Sequence, residues 1–347
     1  MKKILIFLFL LIITSCSPSV EALGTQNAGA WTQTPKVTYT PTIIPTPSAT
    51  PIPWQKYSMT YLVKEGGNGK LWMPAPRNWE GIGMRNVQII EIFPDPIEQY
   101  QDEQGNQIIL WNRNGPKEYS IKFEVELSEI HYSIDPEMIG DYDSSSAEYK
   151  KYTSPSSRIE SDDPRILELA KSIIVDEINP YNQANLIHQW VARRIDGQGE
   201  DGETALSTLE MMSGACGGHS FLYIALLRSL GIPARNIGGI HNGGGSTKFE
   251  TGDSRDNSLR IHIWTEFYLP NYGWIQSDSS AGNKSFIGIN GVRVVMFRGE
   301  DIELGHGYPL EIIPWFHMPQ IDRIGNSDPK TQTIGEYLKL EVERFDG

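Results

Sequence analysis

The sequence predicts an α+β protein, with strands first, helices in the middle and strands again after them. Three observations carry this. Tyr119, Ile121, Phe123, Val125 and Leu127 alternate with Ser120, Lys122, Glu124 and Glu126, and a period of two with one polar face is a half-buried strand. Ile166, Leu169, Ala170, Ile173 and Ile174 recur at helical spacing behind Asp163-Pro164. Two strand-like runs, Ile261–Leu269 and Trp274–Asp278, flank the turn sequence Pro270-Asn271-Tyr272-Gly273.

Composition narrows the class of function. The chain has 347 residues, 39% of them hydrophobic, enough to bury one or two cores. Its 43 acidic residues outnumber 30 basic ones, for a net charge of −13. A nucleic-acid binder needs a basic face to neutralise phosphates, so a chain this acidic is a poor candidate for that class. Two cysteines, Cys16 and Cys216, make neither a disulfide scaffold nor a cysteine zinc cluster.

Residues 1–16 read as an export leader. Lys2 and Lys3 precede the apolar run Ile4–Ile13, which is short for a membrane span. The run ends in Ile13-Thr14-Ser15-Cys16, which resembles the lipobox of bacterial lipoproteins. That resemblance implies an acylated Cys16, a membrane-anchored exported protein, and a Cys216 with no intramolecular disulfide partner.

Residues 17–54 are a Pro/Thr-rich tether, favouring extended polyproline geometry. Residues 55–135 are predicted as a small antiparallel β-sandwich, with further strands at Val87–Phe93 and Gln107–Trp111 and turns at Gly66–Gly69 and Gly105-Asn106. Residues 136–162 are acidic and serine-rich and read as a linker. A second domain then spans 163–325. Asp163-Pro164 caps its first helix, Asn179-Pro180 breaks it, Gln183–Arg194 forms a second, and Thr204–Met211 a short third. Residues 326–347 are a tail, with a terminal amphipathic helix expected over Glu336–Phe345.

The chemistry concentrates between Gly214 and Asp278. Gly214-Ala215-Cys216-Gly217-Gly218-His219-Ser220 opens an apolar helix through Phe221, Ile224, Leu227 and Leu230, which Gly231 and Pro233 stop. Cys216 is thereby set at a helix N-terminus, where amides and dipole favour a thiolate. His262, Trp264, Glu266 and Tyr268 share one face of the following strand. A thiol, an imidazole and a carboxylate at Asp278 make a nucleophile, base and orienter. The chemistry requires no metal or organic cofactor. The Cys216 amide is the first oxyanion donor.

One geometric condition follows. A four-residue loop closed by Leu269 and Trp274 sets Asp278 opposite Thr265, on the face away from His262. A shared face requires a three- or five-residue loop, or a bulge.

These motifs resemble the bacterial transglutaminase-like superfamily. The resemblance is carried by Gly-x-Cys216, the run Leu226-Leu227-Arg228-Ser229-Leu230-Gly231-Ile232-Pro233-Ala234-Arg235, His262-x-Trp264-x-Glu266-x-Tyr268-Leu269-Pro270, Gly273-Trp274 and Asp278. It covers about residues 163–300. It implies a papain-like core, a helix-borne Cys packed on an antiparallel sheet, and the triad Cys216, His262 and Asp278. Members include transglutaminases, peptidases, amidases and inactive relatives, so the family leaves the reaction open. The chain departs from the pattern at Gly218, where many members are acidic, and at Ser279, where proline is common.

Other residues are given structural roles. His219 is expected on the helix surface, Trp264 and Trp274 in the core or a pocket wall, and Glu266 in a structural hydrogen bond. Arg235 is expected to support the sheet or a carboxylate. The glycine-rich loop 241–258 is expected to border and gate the cleft, with Asp253 and Asp256 solvated rather than bound to calcium. Gly305–Pro309 are expected near the site. The favoured function is a surface-anchored thiol acyl hydrolase acting on peptide or protein amides. The alternatives are a glutamine–lysine crosslinking transferase and a non-catalytic peptide or cell-wall binding module.

Overall fold

The computed structural model describes residues 53–345, apart from 65–67, 80, 82, 115–117, 199–201, 242–247, 249, 254–258, 290, 309–312, 314–318 and 322–337. The leader, and all but the last two residues of the tether, lie outside the described residues. So does most of the loop expected to gate the cleft.

Six strands come first: β1 (Gln55–Lys64), β2 (Lys70–Ala75), β3 (Met84–Phe93), β4 (Glu98–Gln101), β5 (Gln107–Asn112) and β6 (Glu118–Leu127). Five helices follow: α1 (Ala147–Thr153), α2 (Pro164–Ile174), α3 (Pro180–Arg194), α4 (Ala205–Met211) and α5 (Cys216–Ser229). The last strands are β7 (Ala234–His241), β8 (Gly252–Asp253), β9 (Arg260–Leu269), β10 (Gly273–Ser277), β11 (Val294–Arg298), β12 (Gln320–Ile321) and β13 (Leu338–Arg344).

The strands make three sheets, of order β3-β6-β1-β13-β8, β12-β2-β5-β4 and β10-β9-β7-β11. Burial along β6 alternates as its sequence does, with Tyr119 through Leu127 inward. β2 is buried on both faces beyond its first residue, because its sheet lies between two others. On one side Trp111 of β5 packs edge-on to Tyr119 of β6, with ring centroids 5.8 Å apart. On the other, Trp72, Ile108 and Leu110 form one cluster with Ile263 of β9 and Phe297 of β11, against which Cys216 packs.

Three expectations are corrected here. The terminal helix is strand β13, antiparallel to β1 with Leu340 opposite Tyr61. Leu340 is fully buried, so the vacant edge of β1 overrides the weak helical pattern of this segment. The acidic linker is also more than a linker. Ser146 caps α1 within it, and α1 buries Tyr152. The first two sheets each take a strand from beyond residue 300, so the segment 55–135 does not complete its own sandwich.

The helical half is built as its punctuation predicts. Asp163, Asn179 and Thr204 cap α2, α3 and α4 through side-chain oxygens, two of them followed by proline. α5 runs through the centre, buried from Gly218 to Arg228. A helix apolar on every side fits only where neighbours surround it. Ile166, Ala184, Ile187 and Ala205 on the other helices and Phe267 and Ile275 of the sheet share its core. Gly231 follows the end of α5 with φ +79°, a conformation cheap only for glycine.

Candidate active site

Cys216 is the first residue of α5. Ala215 occupies the cap with no side-chain cap hydrogen bond, and the helix N-terminus lies beside the thiol. The preceding turn is tied down by Gly214 N–H to Asp196 O at 3.0 Å and Asp196 N–H to Met212 O at 2.9 Å. His219 braces it from inside. Its Nδ1 lies 2.8 Å from Gly214 O and 3.1 Å from Ala215 O, both acceptors, so Nδ1 carries the proton. His219 is buried and not on the helix surface, because its ring folds back onto the Gly214 and Ala215 carbonyls. Gly218 has a steric reason. A Cβ there would stand 2.8 Å from Thr208 Oγ1 and 3.1 Å from Gly202 O, so the turn leaves no room for the acidic side chain that the resemblance implies.

β9 and β10 pair with Leu269 opposite Gly273 and Ser277 opposite Thr265. The connecting loop is therefore three residues, Pro270, Asn271 and Tyr272. This is one of the arrangements the shared face required. Asn271 and Gly273 absorb the tight reversal with φ of +72° and +79°. Tyr272 pins the loop by accepting from Asp135 N–H at 3.0 Å and donating to Asp135 O at 3.1 Å.

Nε2 of His262 lies 2.8 Å from Oδ2 of Asp278. The Asp278 Oδ1 accepts from Ser280 Oγ at 2.7 Å and Ala281 N–H at 3.2 Å, in the short turn Ser279–Ala281. Ser279 thus begins a capped turn at the position where the resemblance implies proline. The thiol of Cys216 faces the His262 imidazole and the Ile263 amide. With Nε2 on the carboxylate, the thiol contact falls to Nδ1. The imidazole lies between the thiol and the carboxylate. Trp264 stacks on His262 at 5.9 Å and 19°, and His241 of β7 packs edge-on at 5.1 Å.

The charges follow from these contacts. Burial pushes the Cys216 thiol up, but His262 and the Ile263 amide outweigh it and bring it below its ordinary value. Burial works against a charged His262, yet Asp278 and the thiol raise it to about 9. Burial opposes the Asp278 charge too, and His262 and Arg293 hold it well below the usual carboxylate range. The lowered thiol and raised imidazole draw the proton toward His262, beside an ionised Asp278.

Several neighbours take the structural roles expected of them. Glu266 is fully buried between Arg235 at 2.9 Å and Arg298 at 2.8 Å, and the Trp264 indole donates to Gln276 at 2.8 Å. Arg235 lies over Trp274, 3.8 Å from its centroid. Tyr308 joins the cluster that Cys216 packs against, whereas Gly305 and His306 line a separate cavity of about 440 Å³ with Asp102, Arg228 and Glu300. Pro309 and Asp256 lie outside the described residues. Among the described residues, no three His, Cys, Asp or Glu are grouped to hold a metal ion.

The Transglutaminase-like superfamily model matches residues 167–279, which run from α2 to the residue after Asp278. Residues 167–279 form a transglutaminase-like domain. An uncharacterized protein of Haemophilus influenzae is 24% identical over 265 residues, covering 65% of this chain and 68% of that protein. A crystal structure from Cytophaga hutchinsonii, named "a Putative Cysteine Protease", matches with a TM-score of 0.55 at 15% identity over 85% of this chain and 92% of its own. That second likeness is one of fold, and it extends across the strand region ahead of the transglutaminase-like domain.

Two residues of this transglutaminase-like site were not legible in the sequence. Arg293 reaches Asp278 Oδ2 at 2.8 Å from an unpatterned stretch before β11. His188 of α3 supports the Asp278 turn. Its Nε2 donates to Gly282 O at 3.2 Å and its Nδ1 accepts from Ser277 Oγ at 2.9 Å. Burial lowers it to about 4, so it stays neutral and this tautomer holds.

Proposed function

We propose that the protein is a thiol acyl hydrolase acting on peptide or protein amides. The observation that carries the reading is the imidazole of His262, held between the Cys216 thiol and the Asp278 carboxylate. In the proposed reaction the Cys216 thiolate attacks the amide carbonyl carbon and forms a tetrahedral oxyanion near the α5 N-terminus. The imidazolium of His262 gives its proton to the departing amine as the C–N bond breaks, leaving a thioester. Water then gives a proton to His262 and its oxygen to the carbonyl carbon. The C–S bond breaks, the acid leaves and the thiolate–imidazolium pair is restored. Asp278 keeps the imidazole oriented and stabilises its charge throughout.

Anchoring belongs to the same proposal. The lipobox-like Ile13-Thr14-Ser15-Cys16 would carry lipid at Cys16, and the tether would hold the domain off the membrane. Labelled palmitate incorporated into the full chain and absent from Cys16→Ser tests it.

The experiment for the reaction is alkylation of Cys216 by iodoacetamide across pH, with the adduct located by mass spectrometry. Fast labelling below pH 7, slowed in His262→Ala, is the expected result. Labelling only above about pH 8.5, indifferent to His262, sinks the reading and favours a binding module.

A further inference from the structure

Asp278 carries a second cation. Arg293 donates from Nη2 to the same Oδ2 that His262 uses, at 2.8 Å. Its side chain is about nine-tenths buried, and its guanidinium lies 4.6 Å from the centroid of the Trp264 ring. Trp264 in turn stacks on His262. Nε and Nη1 of Arg293 make no hydrogen bond, so Asp278 is the polar partner through which this buried guanidinium is compensated.

The carboxylate does not depend on Arg293 for its orientation, because Ser280 and Ala281 hold Oδ1. What Arg293 adds is charge. A guanidinium sharing one oxygen with an imidazolium stands about 5 Å from it, where like charges still repel appreciably. Other groups face the imidazole as well. They are Cys216 from α5, His241 from β7 and Asp278 after β10; His188 behind the Asp278 turn is neutral.

We propose that Arg293 is a positioning residue that keeps Asp278 ionised and limits how tightly it holds the imidazolium of His262, so setting the alkaline limit of the thiolate–imidazolium pair. Asp278 alone would bind the proton on His262 more strongly, and a base that holds its proton too tightly surrenders it poorly to a leaving amine. This inference rests on the reading of His262 as acid and base.

The test is an NMR titration of the His262 ring in the wild type, Arg293→Gln and Arg293→Lys, with Cys216 alkylation measured on the same samples. The Gln variant raises the imidazole midpoint by about one pH unit, and the Lys variant leaves it near the wild-type value. An unmoved midpoint in Gln, or an equal displacement in Lys, overturns the inference. Lower stability with an unmoved midpoint means a structural contact only and overturns it too. Arg293→Met, which keeps the stem on the indole, replaces the Gln variant if that fails to fold. Alkylation that ignores His262→Ala removes the hydrolase reading instead, while the imidazole titration still reads the effect of Arg293.

Discussion

Gly218 lies against Thr208 so closely that a Cβ at 218 would stand 2.8 Å from the Thr208 hydroxyl oxygen. The contact joins the first turn of α5, which begins at Cys216, to α4. Gly218→Ala is expected to cost about 1–3 kcal/mol through overpacking, with slower alkylation of Cys216 as the turn shifts. Thermal unfolding and iodoacetamide kinetics measure the two effects. An unchanged variant would show that the turn has room.

Thr208 itself offers the converse test. Its hydroxyl is buried and makes no hydrogen bond. Thr208→Val removes an unsatisfied polar group with little change of shape. It is expected to be neutral or to stabilise by about 1 kcal/mol. A loss of that size in urea unfolding would mean that the hydroxyl has a partner.

The pH dependence has a definite sign. His262 is raised to about 9 in the folded protein. Its contribution to stability is therefore complete below about pH 6.5, its ordinary value, and fades as pH rises through about 9. Amide hydrolysis is expected to fall over the same alkaline range, because the imidazolium must protonate the leaving amine. Urea midpoints for wild type and His262→Ala should converge between pH 6 and 9.5. A gap that widens over that range contradicts the assignment.

Asp278→Asn removes the charge that both His262 and Arg293 face. The imidazolium loses its partner, and turnover is expected to drop by roughly 10²–10⁴-fold. Arg293 is left buried and uncompensated, so stability falls by about 3 kcal/mol. Depressed folding stability with unchanged turnover would reduce Asp278 to a structural acid.

Leu340 tests the reading of the C-terminal segment as a strand. It is fully buried opposite Tyr61, so Leu340→Ala is expected to cost about 2–5 kcal/mol. A terminal amphipathic helix lying free of β1 would tolerate the change. Calorimetry separates the two.

Much of the site was legible because it is local. Cys216 stands against Gly217-Gly218 and an apolar helix, and that pattern alone put it at a helix N-terminus. The alternation through Ile261–Leu269 put His262 and Trp264 on one face. Parity along β9 and β10 even stated which loop lengths allow Asp278 to meet His262. His219 was misassigned because helical spacing does not tell an outward face from a central one in a helix buried from Gly218 to Arg228.

The sequence by itself determined what is written within a few residues: caps at Asp163, Asn179 and Thr204, the stop at Gly231, the strand periods and the Cys–helix junction. These follow from backbone hydrogen bonding and side-chain periodicity, which act along the chain. Only the tertiary structure decided that β13 closes on β1, that Trp72 stands in the cluster against Cys216, and that Arg293 shares Asp278 with His262. Those pairings join residues far apart in the chain, and they form because an open strand edge, an apolar face and a buried carboxylate each need a partner that no local pattern announces.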